Sequence, residues 1–156
     1  MRKKGGEWES RLERFLSSLL ALRAGEGLSE SACVALYVGE EAFFLGRKKG
    51  RNTLGRVRRE TCDVRFWVPE DTMHHLLSLA EHPETGIASM GIAVFENILT
   101  SDHQRKIRFR LEVSPLGLWS KGYFSVLKAG GPEVASYLAR FGLNGLSAVK
   151  EMLKRL

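Results

Sequence analysis

Cys62-Asp63-Val64-Arg65-Phe66-Trp67-Val68-Pro69-Glu70-Asp71 is the stretch that decides the fold of this chain. Its first seven residues alternate. Cys62, Val64, Phe66 and Val68 fall on one side of an extended backbone and Asp63, Arg65 and Trp67 on the other, which predicts a half-buried strand. Pro69 cannot donate to a sheet ladder but suits the first turn of a helix, where Glu70 and Asp71 meet the positive end of the helix dipole. The spacing predicts a helix over 69–81 that presents Met73, Leu76, Leu77 and Ala80.

Toward the N-terminus, 33–38 and 42–47 are rich in strand formers and flank Gly39-Glu40-Glu41, the pattern of a hairpin. Residues 46–55 hold three glycines, Asn52 and several cations, which predicts a loop or a frayed second turn, with a further strand starting near Leu54 or Val57. Before them, Trp8, Leu12, Phe15, Leu16, Leu19 and Leu20 make one helical stripe, predicting a single amphipathic helix over 8–23 stopped by Gly25. Toward the C-terminus, Pro83 and Gly86 interrupt the first helix. A second, apolar almost all round, is predicted over 87–99. Residues 106–113 alternate again, with Ile107, Phe109, Leu111 and Val113 inward and Lys106, Arg108, Arg110 and Glu112 outward. Helical pieces over 116–128, closed by Gly130-Gly131, over 132–141, closed by Gly142, and from Asn144 as N-cap to the end complete the chain. Early hairpins followed by collected helices imply an α+β domain: a mostly antiparallel sheet of four to five strands covered by helices on one face. A single domain over 1–156 is expected, with an N-terminal helix at 7–24, a core at 28–115 and a helical extension at 116–156.

The composition sets bounds on function. Apolar residues are 44% and charged residues 27% of the 156, the balance of an ordinary folded domain, so disordered and fibrous classes are excluded. Cys33 and Cys62 are too few for a disulfide framework and are read as reduced core residues. The basic start Met1-Arg2-Lys3-Lys4 is followed by Glu7, Glu9, Arg11, Glu13 and Arg14 where an export signal needs an apolar run. No run of about 18 apolar residues occurs, so no spanning helix and a cytoplasmic location are expected.

No residue pattern predicts catalysis, a metal or a cofactor. His74 and His75 are adjacent and point about 100° apart on a helix, His75 and His82 fall on one face two turns apart but with no acid or cysteine spaced to join them, and His103 lies far on. Cys62 has no neighbouring base in sequence. Ser89 and Ser114 lack the nucleophile elbow, and Gly46, Gly50 and Gly55 form neither a phosphate loop nor a dinucleotide fingerprint. A binding protein is therefore expected rather than an enzyme. Two features offer themselves as binding surfaces. Arg47, Lys48, Lys49, Arg51, Arg56, Arg58, Arg59 and Arg65 outweigh Glu60 and Asp63 by the whole net charge of +6. This basic segment, over 47–65, suits an anionic membrane surface, an acidic partner or nucleic acid, with Arg108 and Arg110 beside it and Trp67 free to stack on a base. The other feature is apolar: Met90, Phe95, Ile98 and Leu99, then Leu116, Leu118, Trp119, Tyr123 and Phe124, are more than one layer of covering helices requires. They either fill a close-packed core or line a hollow.

The hairpin, the strand and acidic helix start of 62–71, the breaker, the apolar helix and the strand ending Ile107 to Val113 together resemble the sterol carrier protein 2 (sterol-binding) family over roughly 28–115. In that family an aspartate-valine strand leads directly into an acidic helix start and a later basic-apolar strand closes the sheet. The resemblance implies an apolar tunnel for a fatty acyl chain or sterol, with a lipid or other apolar small molecule as partner and no cofactor. Phe66, Met90, Val94, Phe95, Ile98, Leu99, Phe109, Leu111 and Trp119 are the residues expected to face that ligand. The chain departs from the family in lacking its glycine- and lysine-rich ending, in whose place stands helical sequence over 116–156.

Overall fold

A computed structural model of the chain describes residues 3–57 and 61–140. The helix predicted from 144 onward lies outside the described residues. The order of elements is α1 (Lys3–Ser17), α2 (Leu19–Ala24), β1 (Cys33–Val38), β2 (Glu41–Lys48), β3 (Arg51–Gly55), β4 (Val64–Val68), α3 (Glu70–Glu81), α4 (Ile87–Leu99), β5 (Arg108–Leu111), α5 (Pro115–Ser120), α6 (Tyr123–Ala129) and α7 (Gly131–Ala139). The fold is α+β. Its five strands lie in the order β3-β2-β1-β4-β5, antiparallel throughout except for the central pair β1 and β4, which is parallel.

Several differences from the sequence reading have local causes. The N-terminal helix is two helices, because Ser18 leaves the helical conformation, donates its hydroxyl to the Phe15 carbonyl at 2.6 Å and accepts from the Ala21 amide. A hydroxyl bonded to nearby backbone competes with the helix ladder in this way. The glycine-bearing stretch after β2 is a second hairpin instead of a loop. Its two-residue turn, Lys49-Gly50, has positive φ at both positions (50° and 76°), the mirror-image turn whose twist matches paired strands.

β4 starts at Val64, not Cys62. Asp63 still donates its amide to the Cys33 carbonyl at 2.8 Å, but the alternation does not extend back to Cys62, which packs with Cys33, Ala35 and Phe44 away from the main core. β5 is likewise shorter than its apolar alternation. Lys106 donates through Nζ to the Ile98 carbonyl at 2.7 Å and the Ile107 amide donates to the Asn97 carbonyl at 2.9 Å, so these two residues satisfy orphan carbonyls at the end of α4 instead of extending the sheet. The predicted helix over 116–128 is broken at Lys121-Gly122, where Gly122 has φ 88° and lies so close to Gly27 that any Cβ would overlap the Gly27 carbonyl oxygen.

One face of the sheet carries the main core. Leu36 and Val38 of β1, Phe43 of β2 and Val68 of β4 are buried there with Trp8 and Leu12 of α1 and Met73, Leu76 and Leu77 of α3. On the opposite face Tyr37 stacks on Trp67 with ring centroids 5.4 Å apart, and buried Arg65 donates to the Tyr37 hydroxyl at 2.6 Å and to the Glu112 carboxylate.

Candidate functional site

Further along the same core-bearing face, toward the starts of β1 and β4, an apolar pocket opens beside the core. A cavity of about 420 Å³ lies between the sheet and the helices α2, α4, α6 and α7. Its floor is Val34, Val64, Phe66, Phe109 and Leu111, the inward positions of β1, β4 and β5. Its roof is α4, which contributes Ile87, Met90, Gly91, Val94, Phe95 and Ile98. Leu20, Ala24 and Leu28 close one side, and Leu118, Tyr123, Phe124, Val126 and Val134 another. Gly91 matters for closure: a Cβ there would stand 3.2 Å from Val134 Cγ2, so the glycine lets α7 lie against α4.

Among the described residues no charged side chain lines the cavity, and the one polar side chain, Tyr123, is already committed. The Tyr123 hydroxyl donates to Asp63 Oδ2 at 2.7 Å. The same carboxylate accepts the Cys33 amide at 2.9 Å through Oδ2 and Lys121 Nζ at 2.7 Å through Oδ1. Asp63 is 3% exposed, so burial without those donors would be prohibitive; with them, a carboxylate at the foot of β4 fastens the α5–α6 junction to the sheet. Burial, followed by the hydrogen bond to Asp63, pushes the Tyr123 hydroxyl far above its ordinary value of 10.0 and keeps it a donor. Beside this latch the buried thiols of Cys33 and Cys62 face each other, Sγ to Sγ, at 2.8 Å.

Of the residues expected to face a ligand, Phe66, Met90, Val94, Phe95, Ile98, Phe109 and Leu111 line the cavity. Leu99 and Trp119 do not: Leu99 packs against the main core and Trp119 is exposed, tilted against Phe124 at 5.5 Å between ring centroids. The lining from α2, the start of β1 and α7 was not anticipated. Leu20 was visible only as one more member of the N-terminal apolar stripe. The latch was equally hidden, since Asp63 reads in sequence as the outward residue of a strand.

The basic segment is not one surface. Arg47 is buried and donates to Asn52 Oδ1 at 2.6 Å, and Asn52 in turn donates to the Leu16 and Ala21 carbonyls, stitching the second hairpin to the α1–α2 junction. Lys48, Lys49 and Arg51 stand exposed at the hairpin tip. Arg56 pairs with Glu9 and Glu41 and lies over the Phe43 ring at 4.5 Å. Arg58 and Arg59 fall outside the described residues. Among the described residues no cluster of histidine, cysteine and acid could hold a metal ion, and no helix is long and apolar enough to cross a membrane. No protein-family model, no curated protein and no solved structure matches this chain.

Proposed function

We propose that the protein is a small lipid-binding or carrier domain that shelters one hydrocarbon chain in the cavity between α4 and the sheet. The observation that carries this reading is the uncharged lining of a cavity of about 420 Å³. A hydrocarbon occupant would remove this apolar lining from water. A space of about 420 Å³ is within the range of small-ligand pockets and would take an acyl chain or part of a sterol-like ligand. Each methylene moved from water contributes about 0.8 kcal/mol before the cost of association.

The absence of any free charged or polar group in the lining favours a ligand whose buried part is pure hydrocarbon, with its headgroup at the mouth. Binding is then non-directional and tolerant of chain type, as a carrier requires, and no reacting group lies against the ligand. The resemblance of 28–115 to the sterol carrier protein 2 family points the same way. The basic segment's dispersal, with Arg47 inside and Arg56 paired, gives the nucleic-acid alternative no comparable support.

Organic extraction of the purified protein, followed by titration with a fluorescent long-chain fatty acid, tests the reading. Saturable binding at one site per chain is expected. Val94→Trp, which fills the cavity from α4, is expected to weaken binding at least tenfold while leaving the melting temperature unchanged or higher. No saturable binding in the native protein, or equal binding by the filled variant, would remove the proposal.

A further inference from the structure

We infer that Cys33 and Cys62 form a site of reversible oxidation, a dithiol that hydrogen peroxide converts to an intrachain disulfide. The pair lies on the face of the sheet opposite the cavity, so the inference stands apart from the lipid reading.

Strand alternation alone would keep the two sulfurs apart. Cys33 opens β1 and shares a face with Ala35 and Tyr37, whereas alternation back from Phe66 and Val64 would turn Cys62 toward the cavity floor. The pleat does not reach that far. β4 begins at Val64, and Cys62 packs instead with Cys33, Ala35 and Phe44.

Hydrogen bonds on both sides then fix the approach. The Asp63 amide donates to the Cys33 carbonyl at 2.8 Å and the Cys33 amide donates to Asp63 Oδ2 at 2.9 Å, so the residue next to Cys62 is bonded twice to Cys33. Asp63 is held in turn by Lys121 and Tyr123. The two sulfurs stand 2.8 Å apart. Carbon atoms, which are smaller, rest against each other at about 3.5–4.0 Å, and a disulfide bond is about 2.05 Å long. The remaining approach is under about 1 Å, a distance that side-chain rotation covers.

The surroundings favour a bridge over a metal site or a simple filling role. A bound ion would need ligands besides two thiolates, and the nearest acid, Asp63, already accepts three donors; among the described residues no group of histidine, cysteine and acid could hold an ion. The cysteines are also set apart from the main core. They border a cleft of about 660 Å³ whose other walls include Ser31, Thr61, Asp63, Glu112 and Lys121. Ser31, Thr61 and Glu112 are exposed, so the cleft opens to water. Cys33 and Cys62 are 3% and 4% exposed, which admits contact with a molecule the size of peroxide and excludes a bulky oxidant.

The reaction balances in two displacements. The thiolate of one cysteine attacks a peroxide oxygen; the O–O bond breaks, a sulfenic acid forms and hydroxide leaves. The second sulfur attacks the sulfenic sulfur; the S–S bond forms, the S–O bond breaks and a second hydroxide leaves. The two thiol protons turn the hydroxides into two waters. Sulfur is oxidised, peroxide oxygen is reduced, and a small dithiol reverses the change by exchange.

Alkylation and mass spectrometry test the inference on the whole chain. Protein reduced with dithiothreitol and then unfolded in iodoacetamide is expected to take one label on each of its two cysteines. After brief exposure to excess hydrogen peroxide it should take none, still run as a single chain and yield a peptide linking Cys33 to Cys62. Dithiothreitol should restore both labels. In glutathione buffers of graded ratio, half of the protein is expected to be bridged at a ratio at least tenfold more reducing in the native state than in urea, because the fold brings the sulfurs together. Of the variants Cys33→Ala and Cys62→Ala, at least one should stop at a sulfenic acid that dimedone traps; the measurements on the native protein stand whether or not the variants fold. Retention of both labels after peroxide, disulfide-linked dimers, sulfinic acid in place of the bridge, or a glutathione midpoint unchanged by unfolding overturns the inference.

Discussion

The two ends of one sheet face have opposite interiors. At the end where β1 and β4 finish, Leu36, Val38, Phe43 and Val68 meet α1 and α3, and Phe43 and Val38 are wholly buried. At the end where the same two strands begin, Val34, Val64 and Phe66 look into a hollow of about 420 Å³. The strands are equally apolar at both ends, so they do not make the difference. The covering helices do. α1 and α3 are 15 and 12 residues long and offer Trp8, Leu12, Met73, Leu76 and Leu77 on single faces, enough to interdigitate with the strands. The hollow end is covered by α4 and by pieces of six to nine residues, α2, α6 and α7, each too short to lay a full stripe on the sheet.

The largest expected effect tests that contrast directly. Phe43→Ala removes a fully buried ring from the solid end and is expected to destabilise the protein by about 3–5 kcal/mol in chemical denaturation. Phe66→Ala makes the same chemical change at the hollow end. Its ring packs on Phe109, with centroids 5.9 Å apart, but borders open space, so fewer dispersion contacts are lost and about 1 kcal/mol is expected. Equal losses at the two sites would mean that both ends are packed alike.

The next effect concerns what holds the hollow end shut. Asp63→Asn keeps the size of the side chain but removes the charge that Lys121 and Tyr123 bind. A stability loss of about 2 kcal/mol is expected, the scale of hydrogen bonds to an ionised group. Hydrogen exchange should quicken in α5 and α6 while α1 and α3 stay protected. Uniform loss of protection would show that the latch serves the whole fold and not this end alone.

How much of this was legible in the sequence follows the same division. Period and punctuation located the hairpin of β1 and β2, α3 and α4, because each carries an unbroken apolar repeat between breakers. Seven of the nine residues expected to face a ligand do line the cavity, since inward alternation on β4 and β5 and the apolar surplus of α4 are local properties. Leu99 and Trp119 were misplaced because apolar character does not say which side of a helix meets the hollow. The second hairpin was hidden by its glycines, and the parallel pairing of β1 with β4 has no local signature at all. Asp63 was unreadable for a further reason: its donors come from Cys33, Lys121 and Tyr123, thirty to sixty positions away.

The smallest expected effect compares two surface carboxylates, one at the solid end and one on the opposite face of the sheet. Glu81 of α3 takes Arg11 of α1 across the solid end at 3.1 Å, and that hydrogen bond holds its carboxyl below the ordinary value of 4.5. Glu112, just past β5, is lowered first by its hydrogen bond from Arg65 and then by Arg110. A carboxylate whose value is depressed on folding contributes stability that is fully present above the unfolded value and is lost as pH falls through the folded one. Stability should therefore be flat above about pH 5 and decline below 4.5, the value both groups regain when unfolded. Glu81 is partly exposed, so solvent screening keeps its share small, and α1 and α3 remain joined by Trp8, Leu12 and Leu77 without it. Glu112→Gln, by contrast, leaves the buried Arg65 guanidinium without a carboxylate to balance its charge, facing only the neutral oxygen of the substituted amide and the Tyr37 hydroxyl. Denaturation curves across the acid range should show a shallower limb for Glu112→Gln than for Glu81→Gln. The reverse order would mean that the ion pair, and not the packed helix faces, secures the solid end.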